Sequence, residues 1–320
     1  MIIEKKVLIA APVHPVLLDA LSSLGYECVM HEKITQESGF ALISDCVGVI
    51  TSTRLQLNKE LIDAAPNLRW IGRMGSGMEV IDLGYAGEKG IVCFGSPEGN
   101  CNAVAEHAVG MVLDLIRRIG WSQAELQHGI WKREENRGAE LEGKTIGIVG
   151  YGHTGAAFAK KLTGFDMQIL AYDKYAPQRI PPHIINCRDL EPIFEEADIV
   201  SFHVPAQQDT VGYLNKGFIS RMRKPFIVIN TSRGNVADTT SLYEGLISGK
   251  INGACLDVFE EEPLLVIEKN NHLNRLFSAM SVLPNVIMTP HIAGYTHEAL
   301  YKMSKILADK VSFHLNNRVI

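Results

Sequence analysis

Arg233, Glu262 and His291 each follow an apolar run in the second half of the sequence. Arg233 comes after FIVINTS, Glu262 lies within LDVFEEEP, and His291 closes VIMTPH. In open parallel sheets the carboxyl ends of the strands face one crevice, so residues that follow strands can converge although they are distant in sequence. A histidine beside a carboxylate is a proton donor and acceptor with a raised pKa. An arginine offers a two-pronged fork to a carboxylate. Hydride transfer to a ketone needs both, one group to orient a keto acid and another to protonate its oxygen. Each residue also has a plainer reading. A lone histidine at a strand end reads as a satisfied core residue, and Glu260, Glu261 and Glu262 form an acidic run that reads as a solvated turn.

Gly150-Tyr151-Gly152-His153-Thr154-Gly155 has the pattern GxGxxG. It follows the strand-like TIGIV and precedes the helix-like AAFAKKLTGF. Asp173 closes the next apolar run, eighteen positions beyond Gly155, which is the spacing of a dinucleotide fingerprint. Gly150 would allow the tight turn, Gly152 the approach of a pyrophosphate, and Gly155 close packing of helix on strand. The helix start would then present N–H groups to phosphate. A carboxylate at Asp173 would accept from ribose hydroxyls and repel a 2′-phosphate, which favours NAD over NADP. The neighbouring Lys174 weakens that preference.

Groups so placed need a scaffold of parallel strands, and the sequence has that rhythm. VLIAA, YECVM, VGVIT, RWIGRMG and IVCF alternate with helical patterns in a first block. A second block repeats it with six runs: TIGIVG, QILAYD, DIVSFHV, FIVIN, GACLDV and VIMTPH. A long helix is expected from about residue 104 to 128, followed by a polar linker over 129–144. The C-terminal segment HEALYKMSKILADKVSFHL reads as an amphipathic helix.

Length and charge exclude several classes. The chain has 320 residues, 46% of them apolar, and a net charge of −5. It is expected to form about two domains. It lacks the basic footprint of a nucleic-acid binder, and no apolar run approaches a membrane span of about 18 residues. Six irregularly spaced cysteines without a CxxC pair argue against a zinc site or disulfide frame, so no metal is expected. Cys101, read as lying in a polar loop, is the one thiol of interest. The short apolar run near the start is too brief for a signal peptide, and a cytoplasmic location is expected.

Taken together, GxGxxG with Asp173, NTSRG, LDVFEEEP and TPHIAG resemble the D-isomer-specific 2-hydroxyacid dehydrogenases. GRMGSGMEVIDL (72–83) and EGNCNAVAEH (98–107) extend the likeness into the first block. The resemblance implies an NAD-dependent oxidoreductase of two flavodoxin/Rossmann-like parallel-sheet α/β domains with a cleft between them. Residues 1–103 with 292–320 would bind substrate, and 104–291 would bind NAD. Arg233 would hold the substrate's carboxylate and keto oxygen. His291 would be the general acid and base, with Glu262 paired to it. The backbone of Gly75, Ser76 and Gly77 would take the carboxylate. Gly150, Gly152, His153, Thr154, Gly155, Asp173, Val204, Thr231, Asp257 and Gly294 match coenzyme-contact positions. The same likeness implies a homodimer. Thr154 stands where an aliphatic residue is usual, and Glu79 where aspartate is usual.

Within the family, GRMGSGMEVIDL, SPEGN, GIWKR, ELEGKTIGIVGYG and FHVP are most similar to the catalytic core of the D-3-phosphoglycerate dehydrogenases. Arg54 and Arg133 match positions that serve the phosphate there, and Arg73 is a lesser candidate. A serine-binding regulatory domain, and feedback through it, is not expected. Glyoxylate/hydroxypyruvate reductase and D-lactate-type dehydrogenase are the alternatives within the family. An NAD(H)-sensing corepressor-like binding protein is the alternative outside catalysis. The stretch Leu264 to Pro284 is longer than its family counterpart. With Phe277, Met280 and Leu283 it could form a short helix at the active-site edge or at a subunit contact.

Overall fold

A computed structural model describes residues 5–175, 180–262 and 272–316. The chain divides into two compact units, Met1–Cys101 with Tyr295–Ile320, and Asn102–Gly294. The divisions fall at 101/102 and 294/295, where the sequence reading puts them at 103/104 and 291/292.

The first unit is built on five strands, β1 (Lys6–Ala10), β2 (Glu27–Met30), β3 (Cys46–Thr51), β4 (Trp70–Arg73) and β5 (Val92–Gly95). All pair in parallel in the order β2-β1-β3-β4-β5, the flavodoxin-like arrangement. Successive side chains leave a strand on opposite faces, so the continuous run of β1 feeds two cores. Leu8 and Ala10 join Val49 and Ile71 on one side. Val7 and Ile9 join Ile50 and Trp70 on the other. Helices α2 (Gln36–Ile43), α3 (Lys59–Asp63) and α4 (Leu83–Glu88) cover the first face with Ile43, Leu61 and Ala86. Helices α1 (Pro15–Ser23) and α12 (His297–Asn316) cover the second with Leu17, Leu21, Leu307 and Val311.

The second unit holds seven parallel strands: β6 (Thr145–Val149), β7 (Gln168–Tyr172), β8 (Ile185–Asn186), β9 (Ile199–Phe202), β10 (Phe226–Asn230), β11 (Ile251–Leu256) and β12 (Val286–Met288). Their order, β12-β11-β10-β9-β6-β7-β8, is the doubly wound order extended by one strand. The added edge strand is β12, while the strand that the six apolar runs of the sequence omit is β8, whose two residues pair with Leu170 and Ala171 of β7 and are too few to show a period. Ile148, Ile199, Ile229 and Cys255 pack on one side against α5 (Pro97–Arg117) and α7 (His153–Leu162). Val149, Val200, Val228 and Ala254 pack on the other. There they meet α8 (Glu191–Glu196), α9 (Lys216–Arg221), α10 (Thr239–Ile247) and α11 (His272–Ser281).

The long helix expected over 104–128 is two helices. It begins earlier, at Pro97, a residue preset for a first helical turn, which places Cys101 inside α5 rather than in a loop. It breaks at Arg118, whose φ of 55° is left-handed, before α6 (Ile119–Gln127). Of the stretch 264–284, residues 264–271 lie outside the described residues. The remainder carries α11, which buries Leu276 and Met280 and sets Phe277 edge-on to Phe259 at 5.1 Å. No described helix is long and apolar enough to cross a membrane.

Candidate active site

The glycine loop joins β6 to α7. Gly150 has a φ of 93°, and a Cβ there would lie 2.7 Å from the carbonyl oxygen of His203. A Cβ on Gly155 would lie 2.1 Å from the Gly150 carbonyl, so α7 can approach the loop only with glycine at that position. At Gly152 an added Cβ would meet nothing within 4 Å, so the protein itself does not demand glycine there. Gly152 precedes His153 and Thr154 in the uncapped first turn of α7, where no side chain takes the helix N–H groups. Val204 lies beside the loop, its Cγ1 3.0 Å from the same Gly150 position. His203 backs the loop. Burial pushes its imidazole down to about 3, and the neutral ring bonds Ser201 Oγ at 2.8 Å.

Asp173 follows β7. One carboxylate oxygen accepts from the Tyr151 amide at 2.7 Å and the other from the Tyr175 amide at 2.8 Å. A carboxylate has about four acceptor sites, so ribose hydroxyls can still be taken. Thr231, at the end of β10, is 7% exposed, and its buried hydroxyl has no partner. The uncapped helix start, the open space at Gly152 and the orphaned Thr231 hydroxyl fit the phosphates and hydroxyls of a dinucleotide.

His291 and Glu262 meet. The imidazole Nδ1 lies 2.6 Å from Glu262 Oε2, and Glu262 Oε1 accepts from the Phe259 amide at 2.9 Å. The Glu262 hydrogen bond raises the His291 pKa above its usual value, against a smaller opposing effect of burial and of the Arg233 charge. Burial pushes Glu262 up, but the His291 and Phe259 hydrogen bonds and the Arg233 charge together hold it below the usual carboxylate range. Arg233 follows β10, with Nη1 donating to the Ser232 carbonyl at 2.6 Å. Its turn is shaped by the buried side chain of Asn230, which donates to the Arg233 carbonyl at 2.9 Å and accepts from Ser232 N and Oγ. At the next residue, a Cβ on Gly234 would lie 1.7 Å from the Phe259 carbonyl. The Arg233 turn therefore presses directly against the segment that carries Glu262.

Asp257 is placed differently from a simple coenzyme contact. Its side chain is 1% exposed and accepts from the amides of Ile292 and Ala293 and from Thr289 Oγ1, at 2.9, 2.8 and 2.5 Å. Its backbone carbonyl accepts from the His291 amide at 2.8 Å. Asp257 thus grips the loop that presents His291 and ends beside Gly294. His107 on α5 adds to this grip, its Nε2 3.0 Å from Thr289 Oγ1. The Thr289 hydroxyl proton goes to Asp257, so His107 Nε2 is the donor to Thr289. Asn230, Thr289 and His107 stand in the NTSRG, TPHIAG and EGNCNAVAEH segments, but the sequence reading gives them no role, and only the fold shows what each one holds.

In the first unit Gly75, Ser76 and Gly77 follow β4. The Gly75 amide already donates to Ser96 Oγ at 3.0 Å, and the Ser96 amide to the Gly75 carbonyl at 3.0 Å. Of the three amides assigned to a carboxylate by resemblance, Gly75 is therefore spent within the protein. Arg73 is 6% exposed and donates to the Met74 carbonyl. Arg54 is exposed, with Nη1 donating to the Glu32 carbonyl at 2.6 Å. Arg133, in the second unit, is exposed after α6. Among the described residues no group of three or more histidine, cysteine or acidic side chains could hold a metal ion.

Residues 109–293 match the family described as D-isomer specific 2-hydroxyacid dehydrogenase, NAD binding domain. The chain is 33% identical over 307 residues to a D-3-phosphoglycerate dehydrogenase of Archaeoglobus fulgidus, covering 96% of this chain and 56% of that protein. It therefore spans little more than half of that relative. It is 34% identical to a hydroxypyruvate reductase of Thermotoga maritima, covering 88% of this chain and 89% of the other. The solved D-lactate dehydrogenase of Aquifex aeolicus, complexed with NAD and lactic acid, superposes with a TM-score of 0.85 at 27% identity, over 98% of this chain and 96% of that one. The chain belongs to the D-isomer-specific 2-hydroxyacid dehydrogenases.

Proposed function

We propose that the chain interconverts 3-phosphoglycerate and phosphohydroxypyruvate, the D-3-phosphoglycerate dehydrogenase step that leads into serine biosynthesis. The chemistry rests on the 2.6 Å pair of His291 and Glu262 beside the charge of Arg233. Bound NADH supplies the hydride for reduction. Arg233 holds the carboxylate and keto oxygen of the acid, and the amides of Ser76 and Gly77 take the carboxylate. Glu262 occupies Nδ1 of His291, which leaves Nε2 as the atom that donates the proton to the keto oxygen. In oxidation neutral Nε2 takes the hydroxyl proton, and Glu262 stabilises the imidazolium so formed.

The exposed guanidinium of Arg133, in the GIWKR segment, and that of Arg54 are the cations offered to a phosphate. A second reading, an unphosphorylated acid such as hydroxypyruvate, glyoxylate or pyruvate, is favoured by two features. Arg54 is already engaged with the Glu32 carbonyl, and Arg73 is buried. The cytoplasm is the proposed location, supported by six cysteines without a disulfide. The deciding experiment follows NADH absorbance at neutral pH with phosphohydroxypyruvate, hydroxypyruvate, glyoxylate and pyruvate side by side. A strong preference for the phosphorylated acid upholds the first reading. Preference for another acid overturns it and reduces Arg54 and Arg133 to surface charge. NADH binding without turnover on any of them would turn the reading toward an NAD(H) sensor.

A further inference from the structure

A polar cluster lies under α5 at the carboxyl ends of β11 and β12. Leu256 pairs with Met288, so Asp257 and Thr289 leave the sheet at the same level. Both continue the face that Cys255 and Ile287 share with α5. The helix lies close on this face, since a Cβ on Gly253 would come within 2.9 Å of Leu115 Cδ2. About two turns earlier in α5, His107 reaches the carboxyl ends of the strands and meets Thr289 Oγ1 at 3.0 Å. The second unit runs from Asn102 to Gly294. The contact between His107 and Thr289 therefore ties the segment by which the chain enters this unit to the loop by which it leaves, and that loop carries His291. Proton positions follow from the acceptors. Asp257 Oδ1 lies 2.5 Å from Thr289 Oγ1 and takes the Ile292 amide at 2.9 Å, and Oδ2 takes the Ala293 amide at 2.8 Å. An ionised carboxylate only accepts, so the one hydroxyl proton of Thr289 belongs to Asp257, and Thr289 Oγ1 accepts from His107 Nε2.

We propose that His107 is a positioning residue for the proton transfer at His291. By donating to Thr289 it directs the Thr289 proton onto Asp257, and each bond in such a chain strengthens the next. Asp257 in turn holds the amides of Ile292 and Ala293 through its carboxylate and that of His291 through its backbone carbonyl. This grip matters because His291 has a left-handed backbone, with φ of 53°, a conformation that persists where its surroundings fix it. Without the His107 donor the Thr289 hydroxyl is no longer compelled to face Asp257. The loop then loses one of the three donors that Asp257 gathers, and the imidazole loses its fixed aim. Proton transfer is sensitive to displacements well below the length of a bond. His107 acts this way only if His291 is the proton donor, and it does so whichever acid is reduced.

The test is steady-state reduction by the intact chain, with kcat counted per NADH-binding site from a fluorescence titration, so that unfolded protein does not enter. The acid is whichever of phosphohydroxypyruvate, hydroxypyruvate, glyoxylate and pyruvate the wild type turns over fastest. His107→Leu should lower kcat about tenfold, the effect of one hydrogen bond left unmade, with the Kd for NADH and the KM for the acid within about twofold. His107→Gln keeps a donor near the Nε2 position and should recover most of the loss. His107→Leu combined with Thr289→Val should be no slower than Thr289→Val alone, because His107 acts through that hydroxyl. A clasp that only closes the unit would instead give a lower midpoint in urea with kcat per site unchanged, and that result overturns the proposal. So does a loss that glutamine fails to recover, or losses that add in the double variant. The nitrogen resonances of a chain with 15N-labelled histidines give a readout independent of turnover. His107 Nε2 should carry a proton, and the His291 signals should move in His107→Leu and return in His107→Gln. Unmoved His291 signals overturn the proposal with or without turnover. If His291→Asn leaves reduction intact, the proton-donor reading of His291 falls, and the role of His107 falls with it.

Discussion

His291 holds a left-handed backbone, with φ of 53°, a region uncommon for residues other than glycine. Such a conformation costs on the order of 1–3 kcal/mol and persists where the surroundings over-determine it. Here they do, since the His291 amide donates to the carbonyls of Asp257 and Thr289 and the next two amides donate to the Asp257 carboxylate. The ring is thereby aimed at Glu262, and the pair predicts a pH signature. The raised His291 pKa keeps the imidazolium above its ordinary titration range. Reduction, which needs the proton, should therefore fall as pH rises through that raised value, and oxidation should rise through the same value. Glu262→Gln removes the main cause of the shift, so the crossing point should move to lower pH in both directions. A crossing that stays in place would show that the carboxylate does not govern His291. His291→Asn should reduce kcat by about 10²–10⁴ while the Kd for NADH changes little. Equal loss of both would make His291 a structural residue.

At the scale of elements, β11, β12 and α5 act together through Asp257. Its two oxygens gather three donors from the loop after β12, and Thr289 passes the contact on to His107. Asp257→Asn preserves shape but replaces one acceptor with a donor that would face an amide N–H. It should cost about 1–3 kcal/mol in stability, read as a lower midpoint in urea, together with a fall in kcat larger than the change in NADH affinity. A change in NADH affinity alone would return Asp257 to a coenzyme contact. This clamp could not be read from the sequence. LDVFEEEP and TPHIAG are visible as motifs, but which atom of Asp257 meets which amide depends on the register of β11 with β12. The eleven strands other than β8 and the glycine loop were legible for the opposite reason, because continuous apolar runs bounded by Gly, Asp and His report local structure directly. The two-residue β8 was invisible because it is too short to show a period. The break between α5 and α6 was hidden because Arg118 is not a residue type that signals a left-handed turn.

For the whole molecule, the feature left to explain is α6. It buries none of its nine residues, yet helices shorter than about 12–15 residues are marginal in water without packing. Its apolar side chains and those just after it face solvent, with Ile119 57%, Leu126 55% and Trp131 82% exposed. Large apolar groups gathered within one short segment mark an interaction surface rather than scattered surface residues. The homodimer implied by family likeness supplies a cover, since a two-fold contact brings the same patch of each copy together. The expected result is a dimer at micromolar concentration by sedimentation equilibrium. Leu126→Glu with Trp131→Glu would place two carboxylates from each copy in that contact, and the species should become monomeric. Loss of the contact should also lower helix content by circular dichroism, because none of the nine residues of α6 is buried within the single chain. A monomeric wild-type chain would overturn the assignment. So would a double variant that stays dimeric with unchanged helix content, and the dimer contact would then have to lie elsewhere on the surface.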